Sequence, residues 1–173
     1  MAHVLYVPAH NKVQPVAADL SKTKSTSHMM LNALFENFFT DESIKLRALD
    51  ELRRTRRGND YLYADADLTE TSSDNESVIV TGLDAAGIHA AIEAFVVDEQ
   101  QGEAREIRDL SGVYVIRTKT MRFPNGLSYW IDESDQGSLR VSLYAWSVYG
   151  RRDFGVNQAY LKALAARLTQ PIH

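Results

Sequence analysis

The residues best suited to chemistry in this sequence lie together in one short segment near the C-terminus: Gly150-Arg151-Arg152-Asp153-Phe154-Gly155-Val156-Asn157. The pattern predicts that a long strand ends just before this segment and that a helix begins near Val156. Arg151 and Arg152 would then lie beside a helix N-terminus, where free N–H groups and the helix dipole favour an anion. We therefore predict a phosphate or carboxylate site formed by Arg151, Arg152, Asp153 and Asn157.

The same segment also has a purely structural interpretation. Gly150 and Gly155 supply backbone angles that a β-carbon disfavours, and the Asp153 carboxylate can accept N–H bonds within the turn. Either Asn157 or Asp153 can cap the helix that follows. Turns of this type usually serve the fold, so the structural interpretation is the more common one and the anion site is the alternative.

A second candidate site follows from the alternation of residues along two predicted strands at 127–133 and 138–148. Alternate residues of a strand point to opposite faces of a sheet. One face is apolar and belongs against helices: Leu127, Tyr129, Ile131, Leu139, Val141, Leu143 and Ala145. The other face combines aromatic and basic residues and predicts a ligand pocket lined by Trp130, Tyr144, Trp146, Arg122 and Arg140. Alternatively, N-terminal helices cover this face as part of the core.

Composition and spacing argue against several other kinds of site. The chain has 173 residues and no cysteine, which removes thiolate nucleophiles, disulfides and Cys-ligated zinc. Its five histidines show no metal-ligand spacing, and the acidic segment 65–76 resembles a calcium loop without the required glycine. A net charge of −4 disfavours nucleic acid as a partner. We expect neither a metal nor a cofactor.

The elements that must position these residues follow from hydrophobic periodicity. Apolar spacing predicts an N-terminal helix pair at 27–39 and 41–57, and a further helix opening at Asp84. Alternation predicts strands at 61–64, 78–80, 105–109, 112–122, 127–133 and 138–148, with turns at 124–126 and 135–137. The last helix spans 156–168. This order predicts an α+β fold, in which helices pack on an antiparallel sheet of about four to six strands.

The domain organisation follows from the same pattern. Residues 1–58 form an N-terminal arm and the helix pair, and residues 59–173 form the α+β domain. We expect the two parts to make one compact unit. The chain is short enough for a single domain of ordinary size.

The segment 150–157, followed by Leu161 to Leu168, resembles the C-terminal hallmark of an uncharacterised family. This family is catalogued as domain of unknown function fourteen ninety-nine and occurs in bacteria and plastids. The strand from Val113 to Phe123, followed by Pro124, is similar to a family strand that ends in Phe-Pro, and the resemblance covers roughly residues 60–170. It implies a fold and no activity.

Two departures from the family pattern bear on any site that the family shares. Asn125 and Gly126 stand where the family usually has two Asp residues. The segment Tyr144-Ala145-Trp146-Ser147-Val148 replaces an Arg- and Ser-rich strand. A family site built on those charged residues would be weakened or lost in this chain.

The leading functional hypothesis is a non-enzymatic small-ligand-binding or accessory protein. One alternative is a small enzyme that uses Asp153, Arg152 and Arg122. Another is a protein–protein adaptor that acts through the N-terminal helices, with Leu31, Phe35 and Phe38 exposed or buried in a homodimer. No apolar run reaches the length of a membrane span, and the N-terminus lacks signal-peptide features, so we expect a cytoplasmic protein.

Overall fold

The computed structural model describes residues 39–55, 58–134 and 138–170. In chain order the elements within these ranges are β1 Asp60–Tyr63, β2 Val78–Val80, α1 Ala85–Glu93 with a π-helical continuation Ala94–Glu99, β3 Glu103–Arg108, β4 Ser111–Arg117, β5 Pro124–Glu133, β6 Leu139–Ser147 and α2 Val156–Leu168. The first predicted helix, 27–39, falls almost entirely outside the described residues.

The strands form one antiparallel sheet in the order β1-β6-β5-β4-β3, and β2 also pairs with β6. Strands β3 to β6 follow one another as a meander, in which each strand pairs with its neighbour in sequence. The prediction of an α+β fold with an antiparallel sheet and packed helices is therefore confirmed.

Two helices cover one face of the sheet. The Asp84 carboxylate accepts the N–H of Gly87 at 2.8 Å and caps α1, as the sequence predicts. Both helices turn apolar residues onto the sheet, since Ile88 and Ile92 of α1 and Leu161 and Leu164 of α2 are all fully buried. They meet the predicted apolar face of β5 and β6, and this layer is the main core.

An extended segment, residues 39–55, covers the opposite face, and we call it the strap. The predicted helix at 41–57 is wrong for this segment, which consists of turns and extended backbone. Ile44 packs with Val113 and Val115, whereas Leu52 packs in a separate cluster around Tyr144. An extended path lets each apolar residue reach a different part of the sheet, and the burial of these side chains stabilises the strap.

The predicted turn at 124–126 is also wrong, because these residues begin β5. The chain turns earlier, at 118–123, where Thr118 N–H donates to the Phe123 carbonyl at 3.0 Å. Gly126 serves a close approach instead: a β-carbon there would lie 2.2 Å from Cζ2 of Trp146. The other predicted turn, 135–137, lies outside the described residues.

Candidate functional site

Buried polar side chains fix the strand-turn-helix segment in place. Asn59, Asn125, Ser147 and Asn157 are all at least nine-tenths buried. Asn157 Nδ2 donates to the Asn59 carbonyl at 2.7 Å, and Ser147 Oγ donates to Asn125 Oδ1 at 2.6 Å. Asn59 Nδ2 donates to the Gly150 carbonyl at 3.1 Å, so the turn is tied to the start of β1. Asn157 Oδ1 is buried without a hydrogen-bond partner among the described residues.

Asp153 caps α2 and thereby occupies the helix N-terminus. Its Oδ2 accepts the N–H of Asn157 at 3.0 Å, and its Oδ1 accepts the N–H of Gly155 at 3.1 Å. Gly150 and Gly155 take φ angles of 90° and 80°, as the structural interpretation of the motif requires. Because a carboxylate already fills this position, the helix N-terminus itself does not offer an open anion site.

A cleft of about 630 Å³ lies between the motif and the turn at 118–123, and we call it the motif cleft. Much of its lining is apolar and comes from Met121, Phe123, Tyr149, Phe154 and Val156. Phe39 of the strap supports this wall from behind, with ring centroids 4.7 Å from Phe123 and 5.0 Å from Tyr149. Asn125 and Ser147 add polar atoms to the cleft lining.

Three cationic side chains line the same cleft: Lys119, Arg151 and Arg152. All three are exposed, and none has a carboxylate within salt-bridge distance in the part of the chain that the structure describes. Other arginines are paired: Arg54 with Asp60 at 2.8 Å and Arg117 with Asp41 at 2.6 Å. Asp153 is the one carboxylate that the described residues contribute to the lining, so the cleft has a net positive charge on a chain with a net charge of −4.

Phe154 is the most unusual residue of the cleft. Its side chain is 93% exposed, and its φ of 53° lies in the left-handed region. A β-carbon makes this region unfavourable by about 1–2 kcal/mol. Neither core packing nor backbone preference accounts for an aromatic residue at this position.

The structure brings together the aromatic residues predicted for the second site. Tyr144 stacks on Trp146 with centroids 5.0 Å apart, and Trp130 Nε1 donates to the strap carbonyl of Arg47 at 2.9 Å. Tyr144 donates to Asp60 at 2.9 Å, and burial, together with the Asp60 charge, raises the pKa of Tyr144. The strap fills most of this face and leaves a crevice of about 90 Å³.

The two arginines predicted for this pocket lie elsewhere. Arg140 is on the same sheet face, but Asp67 and Asp132 hold its guanidinium at 2.9 and 2.5 Å. The hydrogen bond from Arg140 lowers the pKa of Asp67. Arg122 belongs to the turn at 118–123 and takes a φ of 54°. Neither side chain lines the crevice.

Sequence reasoning missed part of this arrangement. It did not assign Lys119, Met121 or Tyr149 to a site, because the cleft exists only where two turns distant in sequence face each other. It also missed Asn59 and Ser147. Ser147 is an isolated polar residue in an apolar stretch, whereas Asn59 lies in a polar segment and gives no such signal.

The described residues contain no cluster of His, Cys, Asp and Glu side chains suited to holding a metal ion. None of their helices is long and apolar enough to cross a membrane.

Comparison with known proteins identifies a family. No curated protein and no solved structure matches the chain. The family model of DUF1499, described as a protein of unknown function, matches residues 9–168. The match extends well beyond the 60–170 resemblance toward the N-terminus and includes the residues of the strap. The chain belongs to the DUF1499 family.

Proposed function

We propose that this protein is a non-enzymatic binding domain, and that its ligand is a small molecule with an apolar body and an anionic end. The ligand lies in the motif cleft. The observation that carries this proposal is the combination of an apolar cleft of about 630 Å³ with three cations that lack carboxylate partners among the described residues. Small-molecule sites in proteins are commonly clefts of about 300–1,000 Å³ with apolar linings and few polar groups.

The cations supply affinity for the anionic end. An arginine fork binds a carboxylate or phosphate through two parallel hydrogen bonds, and Arg151 and Arg152 are adjacent in sequence at the cleft. Asp153 occupies the helix N-terminus, so the anionic end must be bound by the arginine side chains. Exposed charges are screened at physiological ionic strength, and we therefore expect binding to weaken as salt rises.

Asn125 and Ser147, the buried polar residues of the cleft lining, provide a second point of recognition. Among the described residues, Asn125 Nδ2 donates to the carbonyls of Ile116 and Phe123, both at 3.4 Å, which is long for a hydrogen bond. A ligand oxygen at this end of the cleft would accept a better bond from Nδ2. Ser147 holds the amide in place by donating to Asn125 Oδ1.

The same geometry favours binding over catalysis. The enzyme hypothesis relied on Asp153, Arg152 and Arg122. Both oxygens of Asp153 accept backbone N–H bonds, so this carboxylate is engaged in the turn and in the start of α2. The aromatic crevice, at about 90 Å³, is well below the usual size of a ligand site.

A matched ligand series tests the proposal. Octanoate and octyl phosphate should raise the melting temperature, whereas octanol, with the same apolar chain, should have a much smaller effect. A double variant, Arg151→Ala with Arg152→Ala, should bind octyl phosphate about 10- to 30-fold more weakly, since each exposed cation contributes about 1 kcal/mol.

Arg108→Ala serves as the control, because Arg108 is an arginine with a 62% exposed side chain on β3, far from the cleft lining. It should leave the affinity unchanged. Equal binding of octanol and octyl phosphate, or unchanged affinity in the double variant, would contradict the proposal.

A further inference from the structure

We infer that the rim of the motif cleft docks on the surface of an anionic lipid bilayer, with Phe154 inserted at the level of the headgroups. The docking surface consists of the two turns that border the cleft. Phe154 and Met121 are its apolar residues, and Lys119, Arg151 and Arg152 are its cations.

The conformation and exposure of Phe154 motivate this inference. Glycine at this position would adopt the φ of 53° without strain and would expose no apolar surface. The ring is instead 93% exposed, so within the described residues it contributes almost nothing to the core. A residue that is both strained and exposed points to a role outside the folding of the chain.

The opposite turn repeats the same chemistry. Met121 is 41% exposed and follows Lys119 by two residues, as Phe154 follows Arg152 by two residues. Each turn therefore presents one apolar tip beside a cation. An aromatic or aliphatic tip with flanking Lys or Arg suits the interface of a membrane, where apolar groups are buried and basic groups contact lipid phosphates.

Charge complementarity argues for an anionic bilayer as the occupant. The three cations have no carboxylate partners among the described residues, and each Lys or Arg near an anionic surface raises partitioning about fivefold. The chain as a whole carries −4, so the rest of its surface is repelled and the rim sets the orientation. A stable protein partner would usually cover about 800 Å² of each surface, whereas the exposed apolar groups of the rim are two turn tips.

In this orientation the opening of the motif cleft faces the bilayer. An amphiphile leaving the membrane would enter the cleft with its apolar chain and keep its anionic end at the rim. This exchange rests on the proposed function, whereas docking on the bilayer does not.

Vesicle flotation with the full chain tests the docking. The protein should float with vesicles of phosphatidylcholine and phosphatidylglycerol in equal amounts, and not with phosphatidylcholine alone. Phe154→Ser should lower the partition coefficient about tenfold, as expected from losing much of the burial of a Phe ring. Phe154→Trp should restore or increase it, because Trp favours the membrane interface.

Leu110→Ser is the control, since Leu110 is a 53% exposed apolar residue outside the lining of the cleft. It should leave flotation unchanged. Absence of flotation with the anionic vesicles, or equal flotation of the native protein and Phe154→Ser, would overturn the inference. Equal binding to soluble polyglutamate, insensitive to Phe154→Ser, would overturn it in favour of an acidic protein partner.

The outcomes separate the two proposals. If octyl phosphate stabilises the protein but anionic vesicles do not bind it, the docking inference fails and the proposed function stands. If vesicles bind and octyl phosphate has no effect, the proposed function fails and the docking inference stands.

Discussion

Replacing Phe154 with glycine should make the folded protein more stable, although it removes the largest side chain of the motif. At a φ of 53°, a residue with a β-carbon is destabilised by about 1–2 kcal/mol. Glycine avoids this strain but loses more backbone entropy on folding, which costs about 0.5–1 kcal/mol. Because the ring is 93% exposed, its lost burial amounts to only about 0.1–0.2 kcal/mol.

At the middle of these ranges the net expectation is a gain of about 0.6 kcal/mol in the free energy of unfolding, or a rise of about 1–2 °C in the melting temperature for a chain of this size. Urea denaturation monitored by circular dichroism measures the first quantity. Gln101→Gly is the matched control, because Gln101 has a φ of 54° and is exposed but lies outside the cleft lining. It should give a similar gain.

A loss of 1 kcal/mol or more in Phe154→Gly, with a gain in Gln101→Gly, would refute this reasoning. It would mean that the ring of Phe154 is buried against part of the chain and contributes to folding.

Three further predictions concern the scaffold of the site. Gly126→Ala should lower stability by about 1–3 kcal/mol in urea denaturation, because the new β-carbon would overlap the indole of Trp146, and unchanged stability would contradict the close approach. Asp153→Ala should cost about 1 kcal/mol through loss of the α2 cap, whereas Asp153→Asn should retain most of it. Burial, with the nearby Glu93 charge, raises the pKa of Tyr114 to about 12 from an ordinary value of 10, so its contribution to stability should be complete below pH 10 and lost as the pH rises to 12. Absorbance at the phenolate band should show this ionisation coinciding with unfolding, and free ionisation of every tyrosine near pH 10 in the folded protein would contradict it.

Local signals in the sequence predict much of the fold because they depend on neighbouring residues. The Asp84 cap, the alternation along β5 and β6 and the helical spacing of Leu161, Leu164 and Leu168 each express short-range geometry. The apolar and aromatic faces of the sheet follow from the same alternation. These features hold in the structure because tertiary contacts reinforce them.

The errors arise where a distant contact overrides the local pattern. Asn125-Gly126 is a strong turn signal, yet Gly126 is required because Trp146, twenty residues later, lies flat against it. The strap has apolar residues at nearly helical intervals, but Ile44 and Leu52 bind separate clusters of the sheet. Neither the contact of Gly126 with Trp146 nor the clusters that hold the strap can be predicted from the local sequence.

The candidate site also has one part that the local sequence predicts and one part that depends on distant contacts. The motif predicts Arg151, Arg152 and Asp153 at one turn, and the structure places them there. The cleft depends on Lys119 and Met121, which lie about thirty residues earlier in the chain. The cleft forms because the pairing of β4, β5 and β6 brings these two turns to the same end of the sheet, and neither turn carries a local signal of the other.

The most direct test of the central claim is a titration of isotope-labelled protein with octyl phosphate, followed by backbone amide and Trp indole chemical shifts. We predict saturable shifts confined to 118–125 and 147–156, which include Asn125 and Ser147 of the cleft lining, with the indole N–H of Trp130, held by the strap, unchanged. Shifts concentrated on the strap and on the indoles of Trp130 and Trp146, or no saturable shifts, would contradict binding in the motif cleft.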